Sequence, residues 1–228
     1  MLNRLFSAIK RGFRRIGKEG GYTLIEVTAV LAVTSVLAAV VIPIAVEKIK
    51  KGGETGAIED CKYISAAIAS FYADTGVWPA KSGATANYFN VLRSGPTNDT
   101  TTDPDFVDSG VKDTWAYMTP GKVDHLENHL VVDNPGGSLG LDPPNGDYRD
   151  QIPKADWKGP YIERMRRVDP WGKNYLVYVK GMHTGDPLNS LNSGWVLSAG
   201  PNLKVDTKTS DAAPQGDDIG VIVYRKRP

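Results

Sequence analysis

Gly21-Tyr22-Thr23-Leu24-Ile25-Glu26 is followed by twenty residues, Val27–Val46, none of which carries a charge. Twenty residues of α-helix span about 30 Å, one bilayer hydrocarbon core. Ahead of this stretch lie Arg4, Lys10, Arg11, Arg14, Arg15 and Lys18 against one acid, Glu19. A secretory signal has its cut site behind the apolar run. A cut after Gly21 would instead leave the run on the mature chain as an anchor. An uncut signal anchor is the other reading of the same residues. In either case the basic leader stays on the cytoplasmic side and the remainder lies across the membrane.

Glu26 is out of place in such a run. A carboxylate within a span costs on the order of 2.5–3.5 kcal/mol, and marks a functional position by default. It stands four residues after Tyr22, whose α-amino group becomes a second charge in the same layer once Gly21 is removed. Pairing Glu26 with the amine of a neighbouring copy relieves both charges and fixes the axial step between copies.

The chain has 228 residues with a formal net charge of +1. That length suits one domain with an anchor, or two small domains. Beyond the leader, 21 basic residues face 25 acidic ones, which argues against nucleic acid as the main partner. Cys61 is the only cysteine, so packing rather than an intrachain disulfide must hold the body together.

Glu47-Lys48-Ile49-Lys50-Lys51-Gly52-Gly53 reads as an interfacial break after the span. From Glu54 to about Ala73, Ala57, Ile58, Cys61, Ile64, Ala67, Ile68, Phe71 and Tyr72 recur every three or four residues, the stripe of an amphipathic helix. Cys61 lies on that stripe as a small hydrophobe. Gly76 suits the helix C-cap, with Pro79 beyond it. Residues 80–156 are rich in Gly, Pro, Asn, Asp, Ser and Thr, and read as an outward-facing, loop-rich insertion. Within it, His125 and His129 stand four apart, a spacing that on a helix suits a metal, but without a third ligand. Asn98-Asp99-Thr100 matches a glycosylation triplet. Asp103, Asp105 and Asp108 form either a solvated loop or a cation site.

Toward the carboxy terminus, Tyr175–Val179, Gly194–Gly200 and Ile219–Tyr224 read as strands. Three short strands suit a small antiparallel sheet covering the stripe of the long helix, an α+β arrangement. Between the last two strands, Asn202, Asp217 and Asp218, with the Leu197 carbonyl and the spare carboxylates Asp206 and Asp211, leave two readings open: a cation loop or a hydrogen-bonded Asx loop. Three histidines, no phosphate-binding glycine loop and the expected lack of a Gly-x-Ser-x-Gly elbow set the sequence against an enzyme.

The block Gly21-Tyr22-Thr23-Leu24-Ile25-Glu26-Val27, with Pro43 about two-thirds along the apolar helix, resembles the processing site of type IV pilins and pseudopilins; Tyr22 replaces the usual Phe. Tyr72–Pro79, Gly159-Pro160-Tyr161, Asp169-Pro170-Trp171-Gly172, Ser198-Ala199-Gly200-Pro201-Asn202 and Asp217-Asp218-Ile219 resemble, in that order, the major pseudopilin of type II secretion. The matches cover about 120 residues at the two ends and leave the middle unmatched.

The resemblance implies a type IV pilin-like fold divided as a leader 1–21, a filament-core helix 22–53, an amphipathic helix 54–79, the insertion 80–156 and a sheet region 157–228. It implies a prepilin peptidase that cuts after Gly21 and methylates the Tyr22 amine. It also implies a homo-oligomeric filament, built in the inner membrane with a platform protein, an assembly ATPase and minor pseudopilins. Before assembly the apolar helix would lie in membrane lipid, with the body in the periplasm. A type IV pilus subunit for adhesion, motility or DNA uptake is the alternative. The resemblance further implies calcium at Asn202, Asp217, Asp218 and the Leu197 carbonyl. Asn202 stands where the family has Asp, and Lys204 and Lys208 enter a less glycine-rich loop.

Overall fold

The computed structural model describes residues 21–80, 89–95, 123–135, 148, 156–163, 167–182 and 193–225. The chain divides into two units, Met1–Ile49 and Lys50–Pro228. The first helix, α1 (Leu24–Thr75), begins in one and ends in the other.

In the first unit every residue from Gly21 to Ile49 is exposed. Pro43 lies inside α1 without interrupting it. It removes one N–H from the ladder, yet the turns on either side carry the helix through. The break expected at Glu47–Gly53 is likewise absent, because α1 continues to Thr75. Each helical glycine costs about 1 kcal/mol relative to alanine, which well-formed flanking turns absorb. Lys50 and Glu54 form an i,i+4 pair at 3.9 Å across this stretch.

In the second unit, Ala57, Cys61, Ile64, Ala67, Ile68, Phe71 and Thr75 are the buried positions of α1. Ile58 and Tyr72, expected on the same stripe, lie at its margins and are 40% and 42% exposed. Gly76 ends the helix as expected. Its φ is +70°, and its N–H donates to the Tyr72 carbonyl at 2.8 Å, the single bond of an αL cap. Tyr72 then stacks on Trp78, ring centroids 4.1 Å apart.

The sheet has five strands: β1 (Val91–Arg93), β2 (Val123–His125), β3 (Leu176–Tyr178), β4 (Ser193–Ser198) and β5 (Ile219–Arg225), in the order β2-β1-β3-β4-β5. The three carboxy-terminal strands fall where the alternation placed them, and their pairings are antiparallel. The purely antiparallel sheet is corrected, because β1 and β2 pair in parallel. A short helix, α2 (Leu126–Leu130), follows β2 directly.

Side chains alternate across this sheet. Leu92, Val177 and Val196 are aligned across β1, β3 and β4 and join Cys61, Ile64, Ile68 and Phe71 in one core. Val91, Tyr178 and Trp195 are also aligned and, with Leu176, Leu197 and Val205, form a second core. Burying a side chain such as Phe71 or Leu92 contributes roughly 1.5–3 kcal/mol, so both faces of the sheet add stability.

The outward-facing insertion is corrected for the described parts of 80–156. Phe89, Leu92, Leu126, Leu130 and Tyr148 belong to the main core. This segment supplies two strands and a helix of the domain rather than an appendage to it. Asn98, Asp103, Asp105 and Asp108 lie outside the described residues.

Candidate functional site

The apolar helix starts at a built cap. Thr23 donates to Glu26 Oε2 from its backbone N–H at 2.8 Å and from its hydroxyl at 2.9 Å. Glu26 N–H returns a bond to Thr23 Oγ1 at 3.3 Å. This is a reciprocal capping box, Thr-x-x-Glu, which satisfies amides that the first helical turn leaves open. The Thr-x-x-Glu spacing carries the signal in the sequence, beside the charge of Glu26. Both donors fall on Oε2, so Oε1 is left for another group. Gly21 and Tyr22 immediately precede the cap and are exposed. Along the span, Thr28, Thr34 and Ser35 return their hydroxyls to carbonyls three or four residues back. By length and composition α1 is able to cross a membrane.

The second site is the loop between β4 and β5. Asn202 N–H donates to Asp217 Oδ2 at 2.7 Å, and the Asn202 amide reaches Asp206 Oδ2 at 3.0 Å. Asp218 Oδ2 accepts three bonds, from Asp206 N–H at 2.8 Å, Thr207 N–H at 2.7 Å and the Thr207 hydroxyl at 2.6 Å. Burial nevertheless pushes the Asp218 carboxyl up to about 6, against the pull of those donors and with help from the nearby Asp206 charge. Asp211 caps a small turn of its own through Lys208 N–H. Leu197 lies in the β4–β5 ladder opposite Gly220, with its side chain in the second core.

Three observations bear on a cation in this loop. Asp217 Oδ1 and Asp218 Oδ1 are buried and accept no hydrogen bond, a state that costs on the order of 1–3 kcal/mol for each polar group. Gly200 and Gly216 both have positive φ, +65° and +61°. A Cβ on Gly200 would meet the Asp217 carbonyl oxygen at 2.1 Å, and one on Gly216 would meet Asp206 Oδ2 at 2.4 Å. Gly200 therefore makes room for the Asp217 carbonyl, and Gly216 for the Asp206 carboxylate that holds Asn202. Against this, Asn202 Oδ1 is already engaged by Lys204 N–H at 2.6 Å. No three His, Cys, Asp or Glu side chains converge among the described residues. The two orphaned carboxylate oxygens suit a hard cation, whereas Asn202 Oδ1 would have to give up its bond to Lys204 to join them.

The Asp169-Pro170-Trp171-Gly172 block is structural. Asp169 Oδ1 accepts Trp171 N–H at 3.0 Å and Lys173 N–H at 2.8 Å, while Asp169 Oδ2 accepts the Ser198 hydroxyl at 2.6 Å. Trp171 lies against Gly53 of α1, where a Cβ would come within 3.3 Å of its ring. Cys61 is fully buried, its thiol 3.7 Å from the Ile219 carbonyl. Burial pushes that thiol up to about 12, with the Asp60 and Asp169 charges adding to the effect, so it is an inert packing group. Burial and a 2.7 Å hydrogen bond to Asp60 likewise raise the Tyr175 phenol.

The two histidines turn ring nitrogens to different partners. His125 ends β2, and its Nδ1 lies 3.1 Å from the Gly95 carbonyl. His129 is on α2, with Nε2 2.9 Å from Asp124 Oδ2 and Nδ1 2.6 Å from the Tyr148 hydroxyl. The expectation that no Gly-x-Ser-x-Gly elbow occurs is corrected, because Gly136-Gly137-Ser138-Leu139-Gly140 has that pattern. These five residues lie outside the described ones. Compared with protein-family models, curated proteins and solved structures, the chain matches none.

Proposed function

We propose that this chain is the structural subunit of a type IV pilin-like filament, serving as the major pseudopilin of a type II secretion machine. The observation that carries the reading is the bare stretch of α1. From Leu24 to Val46 it is apolar apart from Glu26, its threonines and its serine, and all of it is exposed. The same helix buries a full stripe from Ala57 onward. An apolar surface of that length needs a bilayer or other copies of itself.

In this reading a peptidase cuts after Gly21 and frees the Tyr22 amine. The span holds the subunit in the inner membrane, with the β-sheet unit in the periplasm, until the platform protein and ATPase extract it. Helices 22–53 then bundle in the filament core. Glu26, its Oε2 held by Thr23, offers Oε1 to the Tyr22 amine of the next subunit. The subunit itself makes and breaks no bonds. Calcium, when bound between Asp217, Asp218 and Asn202, orders the β4–β5 loop.

Co-expression with a prepilin peptidase tests the reading. Mass spectrometry of the mature chain is expected to find Tyr22 at its start, bearing one methyl group. An uncut chain, or a cut beyond Val46, overturns the proposal. Surface filaments with no effect on protein export would move the reading to a type IV pilus.

A further inference from the structure

The two outer strands of the sheet are built differently. β2 has three residues and runs straight into α2. β5 has seven, Ile219-Gly220-Val221-Ile222-Val223-Tyr224-Arg225, and among the described residues no strand lies beyond it. An outer strand turns a row of N–H and C=O groups away from the sheet, a template for another strand. Short length, proline and charged residues usually blunt such an edge. β5 is long and has no proline, and its one charged residue, Arg225, comes at its last position. Its one protection is an irregularity at Val223, which has no partner in β4 because the register shifts between Gly194 and Trp195. A bulge adds twist there and leaves the run before it regular. Residues 219–223 are half-buried, with Val221 and Val223 packed on the main core and Ile222 on the second.

The strand complements itself when reversed. The loop that enters it holds Asp206, Asp211, Asp217 and Asp218 against Lys204 and Lys208, and the chain leaves it through Arg225-Lys226-Arg227. Two copies side by side in parallel set acid against acid and base against base. Antiparallel, they set acid against base, and complementarity of this kind selects orientation. Asp217 and Asp218 already give their Oδ2 atoms to loop amides, so a second copy meets the field of this end rather than a direct ion pair. Val221 is the middle of the apolar block Ile219–Val223. A two-fold axis there sets Val221 beside Val221 of the second copy, Ile219 beside Val223, Gly220 beside Ile222, and Asp217 level with Arg225. Facing β-branched residues stabilise a sheet, and Gly220 leaves Ile222 room.

We infer that the outer edge of β5 is an interface between two copies of this chain, which pair antiparallel about Val221 and continue the sheet from one copy into the other. The contact uses the same patch on both copies and closes on itself. It therefore joins two subunits without extending a filament, and the pairing is independent of the filament reading.

The test uses the full chain in detergent micelles at low and high protein concentration. Hydrogen exchange is read on the peptide covering residues 219–225, and the mass of the particle by light scattering. At high concentration the mass should double, and outward-facing amides of this peptide should exchange about tenfold or more slowly. A doubled mass without that protection would mean association through the apolar helix alone, and overturns the proposal, as does a chain that stays single. Cross-linking under a mild oxidant reads the register, with the buried Cys61 left in place. Opposed residues of an antiparallel pair stand about 4.5–5.5 Å apart, within reach of a disulfide. Val221→Cys should therefore link to its own copy about tenfold faster than Ile222→Cys, whose two copies lie out of register. Equal rates overturn the pairing about Val221. Protection of 219–225 that follows an added exported protein, and not the concentration of this chain, gives the edge to that partner and overturns self-pairing. The exchange measurement on the unaltered chain decides the matter even where a variant fails to fold.

Discussion

The Ser198 hydroxyl donates to Asp169 Oδ2 at 2.6 Å, joining the end of β4 to a turn 29 residues earlier in the chain. The same carboxylate holds the turn through the amides of Trp171 and Lys173, and the turn sets Trp171 against α1 at Gly53. Asp169→Ala leaves three donors without their acceptor, so a loss of about 3 kcal/mol or more is expected. Ser198→Ala removes that bond to a charged group and the weaker one Ser198 Oγ accepts from Gly200 N–H at 3.2 Å, and should cost about 1–3 kcal/mol. Urea melts of the two variants check the order; equal losses would mean that the carboxylate does not organise the turn.

The two roles of Glu26 separate by substitution. Glu26→Gln keeps a capping-box side chain and removes the charge, so the span should form while filament yield falls sharply. Thr23→Ala keeps the charge and loses the cap, at about 1 kcal/mol of helix stability, and should still assemble. Filaments from Glu26→Gln at the parent's yield would end the pairing idea.

For the β4–β5 loop, Asp217→Ala with Asp218→Ala should remove most of the rise in Tm that calcium gives the parent. The chelated forms should differ far less. If chelation costs parent and variant the same, the ion sits elsewhere.

The metal-free loop should also show a pH dependence. Asp218 has its folded pKa raised, to about 6, above its unfolded value of 3.8. Its contribution is therefore fully present below the unfolded value and is lost as the pH rises through about 6. Chelated protein should gain stability on going from neutral pH toward about 5. Asp218→Asn should flatten that slope, and an unchanged slope would assign it to other groups.

Adjacent glycines in α1 should respond differently. A Cβ on Gly52 meets nothing within 4 Å, whereas one on Gly53 meets Trp171 at 3.3 Å. Gly52→Ala should stabilise by about 1 kcal/mol through helix propensity. Gly53→Ala should gain less, and Gly53→Leu should destabilise. Thermal melts of the three variants decide it.

Periodicity made the stripe of α1 legible, β4 and β5 are long enough to read as strands, and β3, though only three residues, lies within the unbroken apolar run Tyr175–Val179. Gly76 was legible for a local reason, since the helix end needs a positive φ there. Strands β1 and β2 were not: each has three residues, and Val91 gains its meaning from Tyr178, which lies far along the chain. Gly53 looked like a break because its use, a close approach by Trp171, lies outside its own neighbourhood. The orphaned oxygens of Asp217 and Asp218 likewise emerge only when both faces of the loop are built. The Thr23–Glu26 cap was written in the sequence and was hidden by a second meaning of the same glutamate.

The strand order sets a clock for the domain. The stripe on α1 is made early, yet Cys61 finds the Ile219 carbonyl 158 residues later. Val177 and Val196, which close over the stripe, also come in the last third of the chain. Contacts of such long sequence separation form slowly. Until β3 and β4 arrive, Ile64, Ile68 and Phe71 lack Val177 and Val196, and the half-made chain exposes a sticky face. The long helix is therefore ready well before the sheet that covers its stripe, and whatever handles the chain in that interval must shield that bare face.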